Sequence, residues 1–266
     1  MKRAKKSLGQ HFLTSISALS TIIHSADITS NDVVLEIGPG RGILTRQLLT
    51  WAGKVIAVEK DRGLIGPLTE MFTQEIQTGK LDVLERDILD FDPEQLRVYN
   101  HPYKVVANIP YYITGEILRM FLGATYRPES MVLLVQKEVA ERIVAKNGKE
   151  SVLSLSVKFF GTPTYIQTVK RGSFSPSPKV DSAILKIEMQ KRIENGGLRV
   201  EKEEEKFFKI VKIGFKSKRK KLISNLASVA EKEKLERIFT ELSLDHNIRA
   251  EDVPFIQWKE IVTKLS

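Results

Sequence analysis

Val33-Val34-Leu35-Glu36-Ile37-Gly38-Pro39-Gly40-Arg41-Gly42 runs from a β-branched apolar stretch into a glycine-rich turn. Ile43 to Trp51 follows at once with helical spacing, placing Leu44, Leu48 and Leu49 on one face. A buried strand, a tight turn and an amphipathic helix, in that order, open a βαβ unit. Glycines at such a turn let the backbone approach a ligand closely. The spacing is G-x-G-x-G, with Ile43 where the dinucleotide fingerprint needs its third glycine, so a nicotinamide or flavin site is disfavoured.

The same alternation continues outward. Val55 to Glu59, Leu81 to Leu84, Val105 to Ala107 and Met131 to Val135 read as further strands, and Ile65 to Glu75 and Lys137 to Ala145 as helices. Near-continuous apolar strands alternating with helices predict a Rossmann-like α/β fold, a parallel sheet covered on both faces. After Ser151 the pattern changes. Val152 to Phe160 is helical, while Tyr165 to Val169 and Ala183 to Glu188 form a hairpin-like pair of strands around the loop Ser173 to Lys179. The polar stretch Gln190 to Gly197 reads as a linker, which divides the chain into a ligand-binding domain, 1–190, and a small helical domain, 198–266.

The 266 residues suit one large domain with a small appendage. Without cysteine there are no disulfides, thiolate catalysis or cysteine-held zinc, and the four histidines show no metal-ligand spacing, so no metal is expected. No apolar run reaches membrane-spanning length. The basic start, Met1 to Lys6, lacks an apolar segment behind it, and a cytoplasmic protein is expected. The net charge of +9 favours a polyanionic partner. Residues 191–266 carry 18 Lys or Arg against 13 Asp or Glu, a net of +5. Lys216, Lys218, Arg219, Lys220 and Lys221 form a cluster at a predicted helix start, suited to phosphate contacts.

Chemistry gathers at the strand tips. Glu59 ends the second strand, 21 residues after Gly38, where an acid can accept from ribose hydroxyls. Asp87 follows the third strand and can accept from an adenine amine, with Ile88 packing on the ring. Asn108-Ile109-Pro110-Tyr111 follows the fourth. Alone it is a turn after a strand. Beside the other tips it suits gripping a flat, amine-bearing base: Asn supplies a carbonyl acceptor, Pro a fixed φ, and Tyr a stacking face. No phosphate loop is present, so an adenosine ligand without phosphates fits, and S-adenosylmethionine is the obvious candidate.

The glycine loop with Gly38 and Gly40, then Glu59, Asp87 and Asn108 to Tyr111, resembles the motifs of class I methyltransferases in their usual order. The Asn-x-Pro-Tyr form resembles enzymes that methylate the exocyclic amine of adenine. Gly9 to Leu13, Gln136 to Arg142 and Phe174 to Ser182 are similar to segments of the ribosomal RNA adenine N6,N6-dimethyltransferases, and the small-subunit branch fits best. Ile109 and Tyr112 replace the commoner Leu and Asn, and His11 stands where Asn is frequent. The resemblance implies that His11, Leu13, Gly38, Glu59, Asp87 and Asn108 line the S-adenosylmethionine site. It further implies that Asn108 and the Ile109 carbonyl accept the N6 hydrogens, and that Tyr111 and an exposed Phe174 sandwich the adenine. The implied partner is small-subunit ribosomal RNA or the immature small subunit, bound by a monomer. A large-subunit enzyme of the macrolide-resistance type and a non-catalytic assembly factor on the same fold are the alternatives.

Overall fold

The computed structural model describes residues 10–190 and 197–265. Its strands are β1 (Phe12–Leu13), β2 (Val33–Ile37), β3 (Lys54–Glu59), β4 (Leu81–Glu85), β5 (Tyr103–Asn108), β6 (Ser130–Gln136), β7 (Gly161–Val169), β8 (Phe174–Ser175) and β9 (Ser182–Met189). The helices before Phe160 are α1 (Ile16–Ala26), α2 (Ile43–Trp51), α3 (Arg62–Met71), α4 (Thr73–Gln77), α5 (Thr114–Gly123), α6 (Lys137–Val144) and α7 (Val152–Phe160). Those after it are α8 (Gly197–Gly214), α9 (Leu222–Leu226), α10 (Lys232–Glu241) and α11 (Phe255–Lys264).

Seven strands form one sheet in the order β4-β3-β2-β5-β6-β9-β7. The first five are mutually parallel, and β9 and then β7 join antiparallel. Every residue of β2 is buried, as a parallel strand between two helical layers requires. Helix α2 buries Leu44, Leu48 and Leu49, the face its spacing predicted. The chain builds outward from β2 through β3 to β4, then returns to lay β5 on the other side of β2. That reversal opens a crevice at the carboxyl ends of β2 and β5, where ligands of open α/β sheets bind.

The single helix expected over Ile65 to Glu75 is two, α3 and α4, separated at Phe72. Phe72 is buried, and its ring lies where a Cβ on Gly42 would sit, 2.7 Å from Cε2. Anchoring that ring in the core overrides continuation of the helix.

The chain forms two compact units. One holds the sheet and comprises the chain up to Ala140 together with Gly161–Gln190. The other is helical and takes Glu141–Phe160 with the described residues from Gly197 onward. Glu141–Phe160, which the sequence placed in the first domain, thus groups with the helices. Leu155 is buried there with Phe207, Leu222, Phe239 and Trp258. The linker residues 191–196 lie outside the described residues.

Gly214 ends α8 against Trp258, whose indole N–H donates to the Ala250 carbonyl at 3.2 Å. A Cβ on Gly214 would lie 2.4 Å from Trp258 Cη2 and 2.9 Å from Leu222 Cδ1. Neither ring nor branch can move far in a packed core. Gly214→Ala is therefore expected to destabilise the helical unit by about 1–3 kcal/mol, read as a lower denaturant midpoint.

Candidate active site

Strand register builds the site. Ile37 pairs with Val58 of β3 and with Ala107 of β5, so the next residues, Gly38, Glu59 and Asn108, stand abreast. The Gly38 N–H donates to the Val58 carbonyl at 2.9 Å. A cavity opens over this row, lined by residues 10–13, 36–41, 43–44, 58–60, 86–89 and 108–113, with Leu19. It brings together His11, Leu13, Gly38, Gly40, Glu59, Asp87, Ile88, Asn108, Ile109, Pro110 and Tyr111, all singled out in the sequence.

The glycine turn is specific to glycine for two different reasons. Gly38 has φ +67° with open space where a Cβ would project, leaving room above the backbone. Gly40 has φ +59°, and a Cβ there would meet the Phe12 ring at 3.0 Å.

Glu59 is buried and fixed by backbone donors. Oε2 accepts from Gly40 N–H at 3.1 Å and Oε1 from Asp61 N–H at 2.8 Å. Burial pushes its carboxyl above the usual range, while those N–H groups pull it back. Each oxygen keeps a second lone pair for a ligand hydroxyl. Asp61 caps α3 through Gly63 N–H at 2.9 Å and accepts from Gln10 Nε2 at 3.0 Å, which ties the N-terminal stretch to the sheet. Asp87 Oδ1 accepts from Leu89 N–H at 3.1 Å, and Oδ2 pairs with Lys60 Nζ. Burial pushes this carboxyl up, but the Lys60 hydrogen bond and charge and the Leu89 N–H together hold it below the usual range.

The Asn108 amide is oriented by its neighbours. Its Nδ2 donates to the His11 carbonyl at 3.0 Å. A carbonyl only accepts, so the NH2 must face it and Oδ1 remains as an acceptor. The His11 ring stacks on Tyr111 with centroids 6.0 Å apart and planes 21° apart. His11 Nδ1 lies 2.8 Å from the Pro176 carbonyl and is therefore the donor. The Tyr111 hydroxyl lies 2.6 Å from Ser182 Oγ, at the start of β9. Asp181, one residue earlier, accepts from Arg171 N–H and Lys170 Nζ, each at 3.0 Å. The Phe174 to Ser182 segment thus braces His11 and Tyr111.

One expectation is corrected. Phe174 is 5% exposed, belongs to the core, and is not part of the cavity wall. Residues Leu13 and Phe174 pair across β1 and β8, and this short antiparallel ladder turns the ring inward despite its polar neighbours. The exposed ring is instead Tyr112, 58% accessible at the cavity rim. The basic cluster occupies the turn between α8 and α9, with Lys221 as the N-cap of α9, at a helix start as its spacing suggested. Lys216, Lys218, Arg219, Lys220 and Lys221 are all exposed. Asn225 staples that turn by donating to the Gly214 and Ser217 carbonyls at 2.6 and 3.1 Å. The basic arm at Lys2 to Lys6 lies outside the described residues.

Sequence reasoning passed over three residues. Gln10 and Ser182 lie in segments that carried the resemblance, yet their bonding partners are distant in sequence. Glu36 had a local signal, a lone acid in the otherwise apolar run of β2. It is 1% exposed, lines the cavity, and neither carboxyl oxygen has a hydrogen-bond partner. Burial above all, and the nearby Glu59 charge, push its pKa up to about 8, with Thr45 opposing.

A parallel sheet with a glycine turn, a ribose-type acid and an oriented amide at its switch point defines a class I S-adenosylmethionine-dependent methyltransferase. The residues fit that cofactor: open space above Gly38, acceptors on Glu59 and Asp87, and an unpartnered buried carboxyl that suits a cationic ligand. The chain belongs to the ribosomal RNA adenine dimethylase family, whose model matches residues 1–266. It is 44% identical over 262 residues to ribosomal RNA small subunit methyltransferase A of Dehalococcoides mccartyi, covering 97% of this chain and 87% of the relative. It is 38% identical over 285 residues to the protein of the same name from Trichormus variabilis, covering 100% and 99%. Among solved structures, the 23S rRNA methyltransferase ErmE superposes with TM-score 0.81 at 25% identity, covering 96% of this chain and 99% of that one. A dimethyladenosine transferase from Plasmodium falciparum gives 0.74 at 27% identity, covering 93% and 96%.

Two outcomes follow from the geometry. The unfolded chain ionises Glu36 near the ordinary 4.5, whereas the folded protein holds that proton to about pH 8. Stability contributed by this group is therefore present below that window and lost as pH rises through it. Glu36→Gln should melt above wild type at pH 8 in calorimetry of the cofactor-free protein, with the gap closing toward pH 5. Ser182→Ala unties the Tyr111 hydroxyl; methyl transfer should fall roughly tenfold, the value of one hydrogen bond of about 1–1.5 kcal/mol, with cofactor affinity unchanged in calorimetric titration.

Proposed function

We propose that this chain methylates the N6 amines of two adjacent adenines near the 3′ end of small-subunit ribosomal RNA, leaving N6,N6-dimethyladenine during ribosome assembly. The observation that carries the chemistry is the Asn108 amide, held by the His11 carbonyl so that its oxygen is the free acceptor. An acceptor at that point takes one N6 hydrogen, and the Ile109 carbonyl takes the other. Two accepted hydrogens localise the nitrogen lone pair and fix its direction. S-adenosylmethionine supplies an electrophilic methyl on a sulfonium.

The residues of the chain do the positioning. Gly38, Gly40, Glu59, Asp87 and Ile88 hold the cofactor, and Tyr111 stacks on the extruded base, an interaction of about 1–3 kcal/mol. No residue need abstract a proton before transfer, because the amine becomes acidic only as the new bond forms; catalysis is orientation and electrostatics. After one methylation a single N6 hydrogen remains, and the pocket accepts a methyl in place of the other.

Lys216, Lys218, Arg219, Lys220 and Lys221 are exposed, and none makes an ion pair among the described residues, which suits contact with RNA phosphates. With the sheet unit as catalytic domain and the helical unit as RNA-binding domain, the protein acts as a cytoplasmic monomer on the immature small subunit. The full-length relatives named for the small subunit favour that target over the large subunit, for which the similar ErmE structure is named.

Incubating the protein with labelled S-adenosylmethionine and immature small subunits, then mapping the product by mass spectrometry, tests the proposal. Label should appear in two adjacent dimethylated adenines; label in the large subunit alone, or none in adenine, would sink it. Asn108→Ala should reduce transfer by at least about 100-fold, the scale for losing one preorganised polar contact at the reacting centre. RNA binding, measured by filter retention, should persist.

A further inference from the structure

Three carboxylates border the cofactor cavity, and two are satisfied. Glu59 receives the N–H groups of Gly40 and Asp61, and Asp87 receives Leu89 N–H and Lys60. Glu36 is 1% exposed and makes no hydrogen bond through either oxygen. Thr45, in the first turn of α2, turns its hydroxyl and backbone N–H toward this carboxyl and favours its charged form, yet neither Glu36 oxygen meets a donor in hydrogen-bond geometry, and burial outweighs Thr45. A buried polar group left unmatched in a native protein calls for a reason.

The other charged groups of the wall do not supply one. Lys60 is committed to Asp87, and Arg86 to Gln95 Oε1 at 3.1 Å. His11 is tied to the Pro176 carbonyl, Arg41 lies over the Phe12 ring at 4.4 Å, and Asp61 is bound by Gln10 and Gly63. Two neighbouring buried carboxyls cannot both be ionised cheaply. Glu59 has the N–H donors that suit an anion, so Glu36 is the one left neutral.

We infer that Glu36 is a proton-coupled counter-ion: it carries its proton while the cavity lacks cofactor and releases it to solvent when the cationic end of S-adenosylmethionine binds. The O–H bond of the carboxyl breaks, the proton goes to buffer, and the carboxylate formed is matched by the positive charge that has arrived. The raised affinity of Glu36 for its proton in the free protein agrees with this. Cofactor capture then becomes dependent on pH through a residue that has no part in the methyl transfer step. The inference rests on the cavity being the S-adenosylmethionine site.

The test is calorimetric titration of the whole protein with S-adenosylmethionine, in two buffers of different ionisation enthalpy at pH 7. Wild type should release close to one proton more per cofactor bound than Glu36→Gln, because the ligand's own amine titrates alike in both. Wild-type affinity should fall by up to roughly tenfold per pH unit from 8 to 6 relative to the variant. Adenosine, which lacks the methionine end, should bind without that release. Equal proton release in both proteins, or equal release with adenosine, overturns the inference while leaving the site intact. No binding at all overturns the site assignment with it. Should Glu36→Gln fail to fold, infrared difference spectra of wild type decide the matter: loss of a protonated-carboxyl band on adding S-adenosylmethionine supports the inference, and an unchanged band overturns it.

Discussion

The pairing of β2 with β3 on one side and β5 on the other is the constraint on which everything else depends. Three parallel strands in one register put Gly38, Glu59 and Asn108 in a row. A slip of one residue in either pair would turn the flanking side chains to the opposite face and take the acid or the amide out of reach of the glycine turn. The buried side chains of β2 resist such a slip because every one of them is packed. The backbone ladder thus sets positions that no side-chain contact alone could hold.

Around that row the protein assembles donors and acceptors with little redundancy. Backbone N–H groups of Gly40 and Asp61 fix Glu59, and the His11 carbonyl fixes the Asn108 amide. The Phe174 to Ser182 segment fixes Tyr111 through Ser182 and His11 through the Pro176 carbonyl. Contacts spanning 165, 97 and 71 residues of chain therefore converge on the His11 ring, the Asn108 amide and the Tyr111 hydroxyl. The proposed reaction, which has no general base, requires such positioning, since its rate depends on where the nitrogen lone pair points.

Much of this was legible in the sequence, and the exceptions have physical causes. Strands β2 to β6 announced themselves because parallel strands are apolar throughout, and the acids stood out at their ends. Phe174 misled because serines and prolines surround it, whereas its burial is set by pairing with the N-terminal strand β1, a non-local fact. The α3–α4 break was hidden for the same reason, as Phe72 packs beneath a distant glycine turn. Glu36 was visible as an acid in an apolar run, but that neither of its oxygens meets a donor in hydrogen-bond geometry is a property of the packed interior and has no local sequence mark. Glu141–Phe160 reads as helical on the sheet side of the linker, yet its apolar face is spent on the helical core, and periodicity does not say which core a helix joins.

The tether between Asn108 and the His11 carbonyl also sets what the proposed clamp would refuse. An unrestrained amide can rotate and offer either end, greeting an amine or a keto group equally well. With its NH2 pinned by the main chain, this one can only receive. A ring bearing oxygen in place of the amine would bring lone pair against lone pair, so a deaminated base is turned away by repulsion as well as by lack of a nucleophile. In the proposed reaction, a single main-chain oxygen, contributed by a residue 97 positions away, would thereby make Asn108 a filter for the chemical integrity of the nucleobase.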